Sequence, residues 1–512
     1  MRATAAAGAL GGACYAPNAP MALRSHAGFV PLPAQAPGGI AGLVLGLAVL
    51  LAPASRAQAQ SPDRDQDRID ITGRQNLTLG SGARAYGMGG AFLARADDGT
   101  AASWNPAGLS YLRVPEVSLV GVGNSFDTER GDESDRFKGQ ALDFAAFTWP
   151  VGIGEVRGAV QLSYQRSISF DGRRSIRTPV FLNSVGEPTQ WADEALSDGG
   201  FDVVAFGTGF RLSRRLRAGV TVNRWVNGYD QVLTRRYLTP NPRPLRKFDL
   251  DFRPRGWSFN LGLMWSPIDE VNLAAVYKTP FTADVGLEKA RRDFWGPATV
   301  EEVTRNRGSS KSVELDFPSS IGFGISWRPR DTLTLSADFT STSWSRARIL
   351  DYFEVGVTQR SEGGTPAVPP PPVEFPELQY PTLRAVPEAD DPARRFGQQD
   401  SQQIRLGAEW VLIKGGLKMP LRAGYFNDRQ ITPVAGGSLP RFNGLTAGVG
   451  IILGSVLLDV AYVHEFGDYL VSSEVAAAAE SDQSATPPVR NTLTTDRVFA
   501  SIIYRFSGRW QP

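Results

Sequence analysis

Catalysis by side chains needs a nucleophile with a base, paired carboxylates or a set of metal ligands, and this 512-residue sequence is poor in such residues. Its single cysteine is Cys14, and its two histidines are His26 and His464. Any Ser-His-Asp triad or histidine metal site would rest on His464, beside Glu465, because Cys14 and His26 fall in a leader expected to be removed. A barrel-embedded hydrolase built on His464 is the enzyme rival; a histidine at the rim of a barrel is the plainer reading. Asp97 and Asp98 are adjacent acids, but such pairs in a turn usually cap or meet solvent, and no partner chemistry flanks them. Gly80-Ser81-Gly82-Ala83-Arg84-Ala85 fits the G-x-G-x-x-A spacing of a dinucleotide loop, yet no strand pattern precedes it and no βαβ unit follows. The expectation is a protein that is not an enzyme, with no catalytic residues, no metal site and no cofactor.

The first residues read as an export signal. Arg24 supplies positive charge, Gly38 to Ala52 is apolar, and Ala57-Gln58-Ala59 is an A-x-A cleavage site, whether translation starts at Met1 or Met21. The apolar run is too short for a permanent membrane helix. Removal of residues 1–59 takes Arg2, Arg24 and Arg56 and no acid from a chain of 54 basic and 52 acidic side chains, so the mature protein is nearly neutral. That charge balance carries no electrostatic footprint for nucleic acid.

Beyond the leader the hydropathy has period two, which places successive side chains on opposite faces of a strand. Leu333, Leu335, Ala337 and Phe339 alternate with Thr334, Ser336, Asp338 and Thr340. Leu216, Ala218, Val220 and Val222 alternate with Arg217, Thr221 and Asn223, and Ile321, Phe323, Ile325 and Trp327 with Gly322, Gly324 and Ser326. Segments of about ten residues, the span of a tilted membrane strand, begin near 116, 140, 156, 201, 215, 256, 270, 318, 331, 402, 416, 442, 455 and 496. The apolar stretch Gly444 to Leu458 reads as a hairpin turning at Gly454-Ser455.

Connections alternate. They are short at Ser213-Arg214, Ser266–Asp269, Arg328–Arg330 and Gly454, and long at 168–200, 228–255, 280–317, 342–401 and 466–495. Short turns on one side and long loops on the other are the asymmetry of a bacterial outer-membrane barrel, whose strand number is even. Trp149, Trp225, Trp265, Tyr277, Trp327, Trp344, Tyr462 and Tyr504 stand near segment ends, where ring side chains would mark the two membrane interfaces. Pro366 to Pro387 is expected to be a mobile outer loop, since proline lacks the ladder donor.

Ahead of the first strand lies a glycine-rich segment containing Gly87, Gly89, Gly90, Ala91 and Phe92. The acidic pair Asp97-Asp98 follows, and then Asn105-Pro106-Ala107. This stretch resembles the N-terminal hatch of the FadL/TodX family of outer-membrane transporters of long-chain fatty acids and aromatic hydrocarbons. Phe317 to Ser345 is similar to a hairpin in the middle of those barrels.

The resemblance implies an all-β transmembrane antiparallel barrel of about 14 strands with the hatch inside the lumen. The expected organisation is 1–59 signal peptide, 60–75 polar periplasmic lead, 76–112 hatch, 113–506 barrel and 507–512 tail. It further implies a monomer, in the outer membrane of a Gram-negative cell, that passively transports hydrophobic small molecules. Outer loops would capture the ligand and the hatch would gate its lateral release into outer-membrane lipid. Gly87, Gly89, Gly90, Phe92, Asn105, Pro106 and Ala107 would be the gating residues. The barrel assembly machinery is an expected partner and nucleic acid is not. The charged run Pro62 to Arg68 departs from the transporters of fatty acids, whose N-terminus reaches toward the pocket. Alternatives are a barrel partner in secretion or membrane assembly, and a general porin for polar solutes.

Overall fold

The computed structural model describes residues 80–506, except 131–132, 155, 178–180, 183–187, 240–242, 295–311, 347, 350–399, 430–440 and 472–488. The leader, the polar lead, the Pro366–Pro387 segment and the C-terminal tail lie outside the described residues.

Among the described residues twenty strands follow the hatch: β1 (Glu116–Arg130), β2 (Glu133–Ile153), β3 (Val156–Ser169), β4 (Gly172–Arg177), β5 (Phe181–Leu182), β6 (Pro188–Arg211), β7 (Leu216–Val226), β8 (Tyr229–Thr239), β9 (Arg243–Ile268) and β10 (Val271–Lys278). They continue as β11 (Phe281–Phe294), β12 (Ser312–Phe317), β13 (Ser320–Arg330), β14 (Leu333–Thr342), β15 (Arg348–Ile349), β16 (Ser401–Lys414), β17 (Leu417–Arg429), β18 (Arg441–Leu453), β19 (Val456–Val471) and β20 (Val489–Arg505). Fourteen of them form the wall in the order β1, β2, β3, β6, β7, β9, β10, β13, β14, β16, β17, β18, β19, β20, all antiparallel. β20 closes on β1 from Glu116–Arg505 to Arg130–Asn491. Closure satisfies every ladder, the only way a sheet can stand in lipid.

The remaining strands extend the wall on the long-connection side, where β8 and β11 pair with the first halves of β6 and β9. Here the structure corrects the sequence reading. Connections 168–200, 228–255 and 280–317 contain paired strands, so β6 and β9 run to 24 and 26 residues instead of about ten, and β2, paired with β1 from Glu133 onward, runs to 21. These outer segments are polar. The apolar period that marks lipid contact is absent from them, and hydropathy alone could not find their pairing. The turn expected at Arg328–Arg330 lies one step later, at residues 331–332, because a register shift between Trp327 and Arg330 lengthens β13. The hairpin turn at Gly454-Ser455 is as expected, with Gly454 at φ 58°.

Alternation decides the two faces. Leu335, Phe339, Ile321, Phe323, Ile325 and Trp327 are exposed outward, whereas Thr334, Ser336, Asp338 and Thr340 are buried inward. A bilayer inverts the usual sense of burial: the apolar face meets lipid and the polar face lines the lumen. Among the described residues no helix is long and apolar enough to cross a membrane.

Candidate functional site

Residues 80–112 fill the lumen with a helical turn (Ala83–Gly87), a second (Ala101–Trp104) and a 3-10 helix (Pro106–Tyr111). The first turn ends in Gly89 and Gly90, at φ 66° and 74°, the left-handed region that a side chain strains to enter. A Cβ on Gly89 would also stand 2.7 Å from the Leu406 carbonyl oxygen and 2.8 Å from the Tyr425 nitrogen. The wall answers with glycines of its own, Gly407 and Gly424, which face Met88 and Gly89. Gly89 donates its N–H to Thr446 Oγ1 (2.9 Å) and accepts from Arg405 Nη1 (3.0 Å). Gly87 lies against Gly448, and its carbonyl accepts from Thr446 Oγ1 at 3.0 Å.

Phe92 is fully buried, edge-on to Trp104 at 6.0 Å, and belongs to the apolar core of the hatch with Met88, Leu93 and Leu109. The amides of Phe92 and Leu93 both donate to Asp338 Oδ2, at 2.6 and 2.7 Å, so one wall carboxylate holds two hatch N–H groups.

Asn105 explains why Asn-Pro-Ala is a structural unit. Its Oδ1 accepts from the Ala107 amide (3.1 Å), capping the 3-10 helix, and Pro106 takes the first helical position, where no N–H is required. Asn105 Nδ2 donates to the Leu93 carbonyl at 3.0 Å and the wall carbonyl of Leu263 at 3.2 Å. The Pro106 backbone then lies on Gly209 and Gly219, and Gly262 packs against Asn105, Pro106 and Ala107.

The expected gating residues therefore occupy two seams. Gly87, Gly89 and Gly90 meet β16–β18; Asn105, Pro106 and Ala107 meet β6, β7 and β9; Phe92 packs in the core between. Of the acidic pair, Asp98 closes a local turn on Thr100 N (2.9 Å) and Oγ1 (2.7 Å). Asp97 pairs with Arg84 (2.7 Å) and Arg95. Burial would raise the Asp97 pKa, but the two guanidiniums outweigh it and hold the carboxyl below its ordinary range.

Sequence reasoning missed the charges that complete this network. Arg84 Nε donates to Glu409 Oε2 at 3.0 Å, Glu409 accepts from Arg422 at 2.8 Å, and Arg422 donates to Asp459 at 2.6 Å. Nearby, Arg405 pairs with Asp428 and Arg497 with Glu465. Their signal was present: Arg405 and Glu409 interleave with Ile404, Leu406 and Trp410, and a charge in a membrane strand is tolerable only on the lumenal face.

At the outer-loop end of the wall, inward-facing aromatic rings form a second region. Trp225 stacks on Phe281 (centroids 4.8 Å) and Phe317 (5.6 Å), Phe281 on Phe317 (4.8 Å), and Phe201 meets Phe317 edge-on at 6.4 Å. Tyr229 and Phe170 continue the cluster, stacked at 4.2 Å. Trp225 and Trp344 were expected at the membrane interfaces. Both are buried, at 8% and 2% exposure, and Trp225 donates Nε1–H to Ser258 Oγ (3.0 Å). Trp225 shares the strand parity of Thr221 and Asn223, which is lumenal. Trp149, Trp265, Trp327 and Tyr462 do face outward. His464 faces outward too, its Nδ1 2.8 Å from Asp496 Oδ1.

No family model matches the sequence, and no curated protein matches it. Among solved structures, a FadL homologue from Pseudomonas aeruginosa superposes with a TM-score of 0.52 at 12% identity, covering 84% of this chain and 99% of that one. The fold is of the FadL type. The toluene transporters TbuX of Ralstonia pickettii (TM-score 0.48, 16% identity, 84% of this chain and 100% of that one) and TodX of P. putida (0.49, 14%, 85% and 100%) also align. A FadL-type fold is an outer-membrane β-barrel architecture, and its hatch segment is where the glycine-rich and Asn-Pro-Ala stretches stand.

Proposed function

We propose that the protein is a passive transporter of hydrophobic compounds, long-chain fatty acids or aromatic hydrocarbons, in the outer membrane of a Gram-negative cell. The observation that carries this reading is the pairing of a hatch seated across the lumen with the aromatic cluster Phe201, Trp225, Phe281 and Phe317 on its outer side. Apolar surface gains about 25 cal/mol per Å² on leaving water, so a ring-lined entrance concentrates a greasy ligand where a wet pore would not. The ligand parts the aromatic rings and descends to the hatch. Residues 76–112 then rearrange about the Gly89-Gly90 turn and the Asn105–Ala107 seam, and the ligand leaves sideways through the wall into lipid. The barrel acts as a monomer inserted by the barrel assembly machinery, and its reaction is transfer without chemistry.

The test uses purified protein refolded into liposomes. Swelling by small sugars is compared with binding of a labelled long-chain fatty acid and of toluene, in the wild type and in Trp225→Ala. Saturable binding of either ligand without sugar entry, weakened by Trp225→Ala, supports the reading. Sugar entry without ligand binding overturns it in favour of a porin.

A further inference from the structure

The lipid-facing wall is not uniformly studded with large side chains. On β14, β16 and β17, Ala337, Ala408 and Ala423 occupy neighbouring outward positions, Ala408 directly opposite Ala423 in the ladder and Ala337 opposite Leu406. They floor an apolar groove of about 620 Å³, walled by Trp327, Leu406 and Tyr425.

Two features decide what such a groove is for. The ladders beneath it are unbroken, from Leu333–Trp410 to Thr342–Ser401 and from Gln403–Asp428 to Lys414–Leu417. Opening them in lipid would orphan consecutive backbone groups, so the groove is a seat and not a passage. At its short-turn end stand Arg330, whose ladder partner is the lipid-facing Leu333, and Lys414, on the same face of β16 as Leu406 and Ala408. Both are exposed, and neither has a carboxylate partner among the described residues. Trp410, 55% exposed, stands in the same ladder row as Leu333 and Arg330 and on the same face of β16 as Lys414, as an indole at the membrane surface would. Arg328 and Lys418 add positive charge to these turns, against Asp269, Glu270 and Asp331.

We propose that this groove binds an anionic phospholipid of the periplasmic leaflet, one acyl chain lying over Ala408 and Ala423 and the phosphate meeting Arg330 and Lys414. The inference rests on the outer-membrane placement above, which puts the short turns in the periplasm. Short apolar side chains make the slot, and the two unpaired cations make it selective for negative head groups.

The test is native mass spectrometry of the full mature barrel in neutral detergent, with heat-modifiability on gels confirming that each variant is folded. Phosphatidylglycerol, phosphatidylcholine of the same chains and inorganic phosphate are titrated separately. The wild type is expected to retain one phosphatidylglycerol about thirtyfold more tightly than phosphatidylcholine, the effect of two interfacial cations. Ala408→Leu fills the groove and loses both lipids, whereas Arg330→Gln with Lys414→Gln loses only the preference. Equal retention of the two lipids by the wild type, unchanged retention by Ala408→Leu, or displacement of the lipid by inorganic phosphate overturns the proposal. Fatty-acid binding in the lumen is read in the same preparation, so loss of the phospholipid site alone leaves the transport reading standing.

Discussion

On the β16–β19 side of the lumen the hatch meets charge: Arg84 and Arg95 lean on Glu409, which accepts from Arg422, and Arg422 is paired in turn with Asp459. On the β6–β9 side the contact is mostly one of shape: the Asn105–Ala107 backbone lies on Gly209, Gly219 and Gly262, Met264 packs into the apolar core of the hatch, and one cation, Arg217, stands over the Tyr111 ring at 4.1 Å. The first contact is strong only while every partner is present. The second depends mainly on shape. If the hatch gates as proposed, this division would serve it, because a small rearrangement could break one seam while the other keeps its register.

Removing one partner from the charged side should have the largest effect. Glu409→Gln leaves Arg84, Arg95 and Arg422 without their shared carboxylate and should cost the hatch about 3–5 kcal/mol, as for other broken buried pairs. Hydrogen exchange of the Ala83–Gly87 amides reads this loss, and unchanged protection would show that the charges are ornamental. Gly219→Ala pushes a methyl into the Pro106 carbonyl and should cost about 1–3 kcal/mol by overpacking. Sugar entry into liposomes should rise, with no dependence on salt concentration; salt dependence would deny that this seam is steric.

Asp338→Asn comes third. It keeps one acceptor for the Phe92 and Leu93 amides but removes its charge, a loss of about 1–2 kcal/mol. Exchange at those two amides should quicken while the 105–107 seam stays protected. The smallest effect is that of pH. Asp97 has a folded pKa below its unfolded one, so its contribution is complete above about pH 4 and fades as pH falls through the folded value. Sugar entry should stay level from neutral pH down to that point and rise below it. In Asp97→Asn the acid-dependent part should vanish, and an unaltered acid response in that variant would transfer the effect to another group.

The strand starts were legible to within a few residues on the periplasmic side of the wall, as at Val156, Leu216, Val271 and Leu417, because lipid imposes a strict apolar alternation there. On the outer side the apolar pattern ceases, and the outer extensions of β2, β6 and β9 escaped notice, although their membrane-spanning parts were expected near 140, 201 and 256. The hatch motif was legible as a stretch of glycines and Asn-Pro-Ala, and the cap made by Asn105 is local enough to follow from the residue types. The partners of these residues were not legible. Nothing near Phe92 points to Asp338, and nothing near Arg84 points to Glu409, 325 residues away.

What the amino-acid sequence determined by itself was the wall: strands, their faces, their short turns and the even number that closes them, since each follows from period two and turn chemistry within a few residues. What only the tertiary structure decided was the meeting of wall and plug. Ala83 donates its amide to Ser501 Oγ across 418 residues, and Trp225 turns from a membrane marker into the partner of Phe281 and Phe317. Such contacts depend on closing the barrel, on the register summed over fourteen ladders and on the path of the hatch through the lumen, and no local pattern carries that sum.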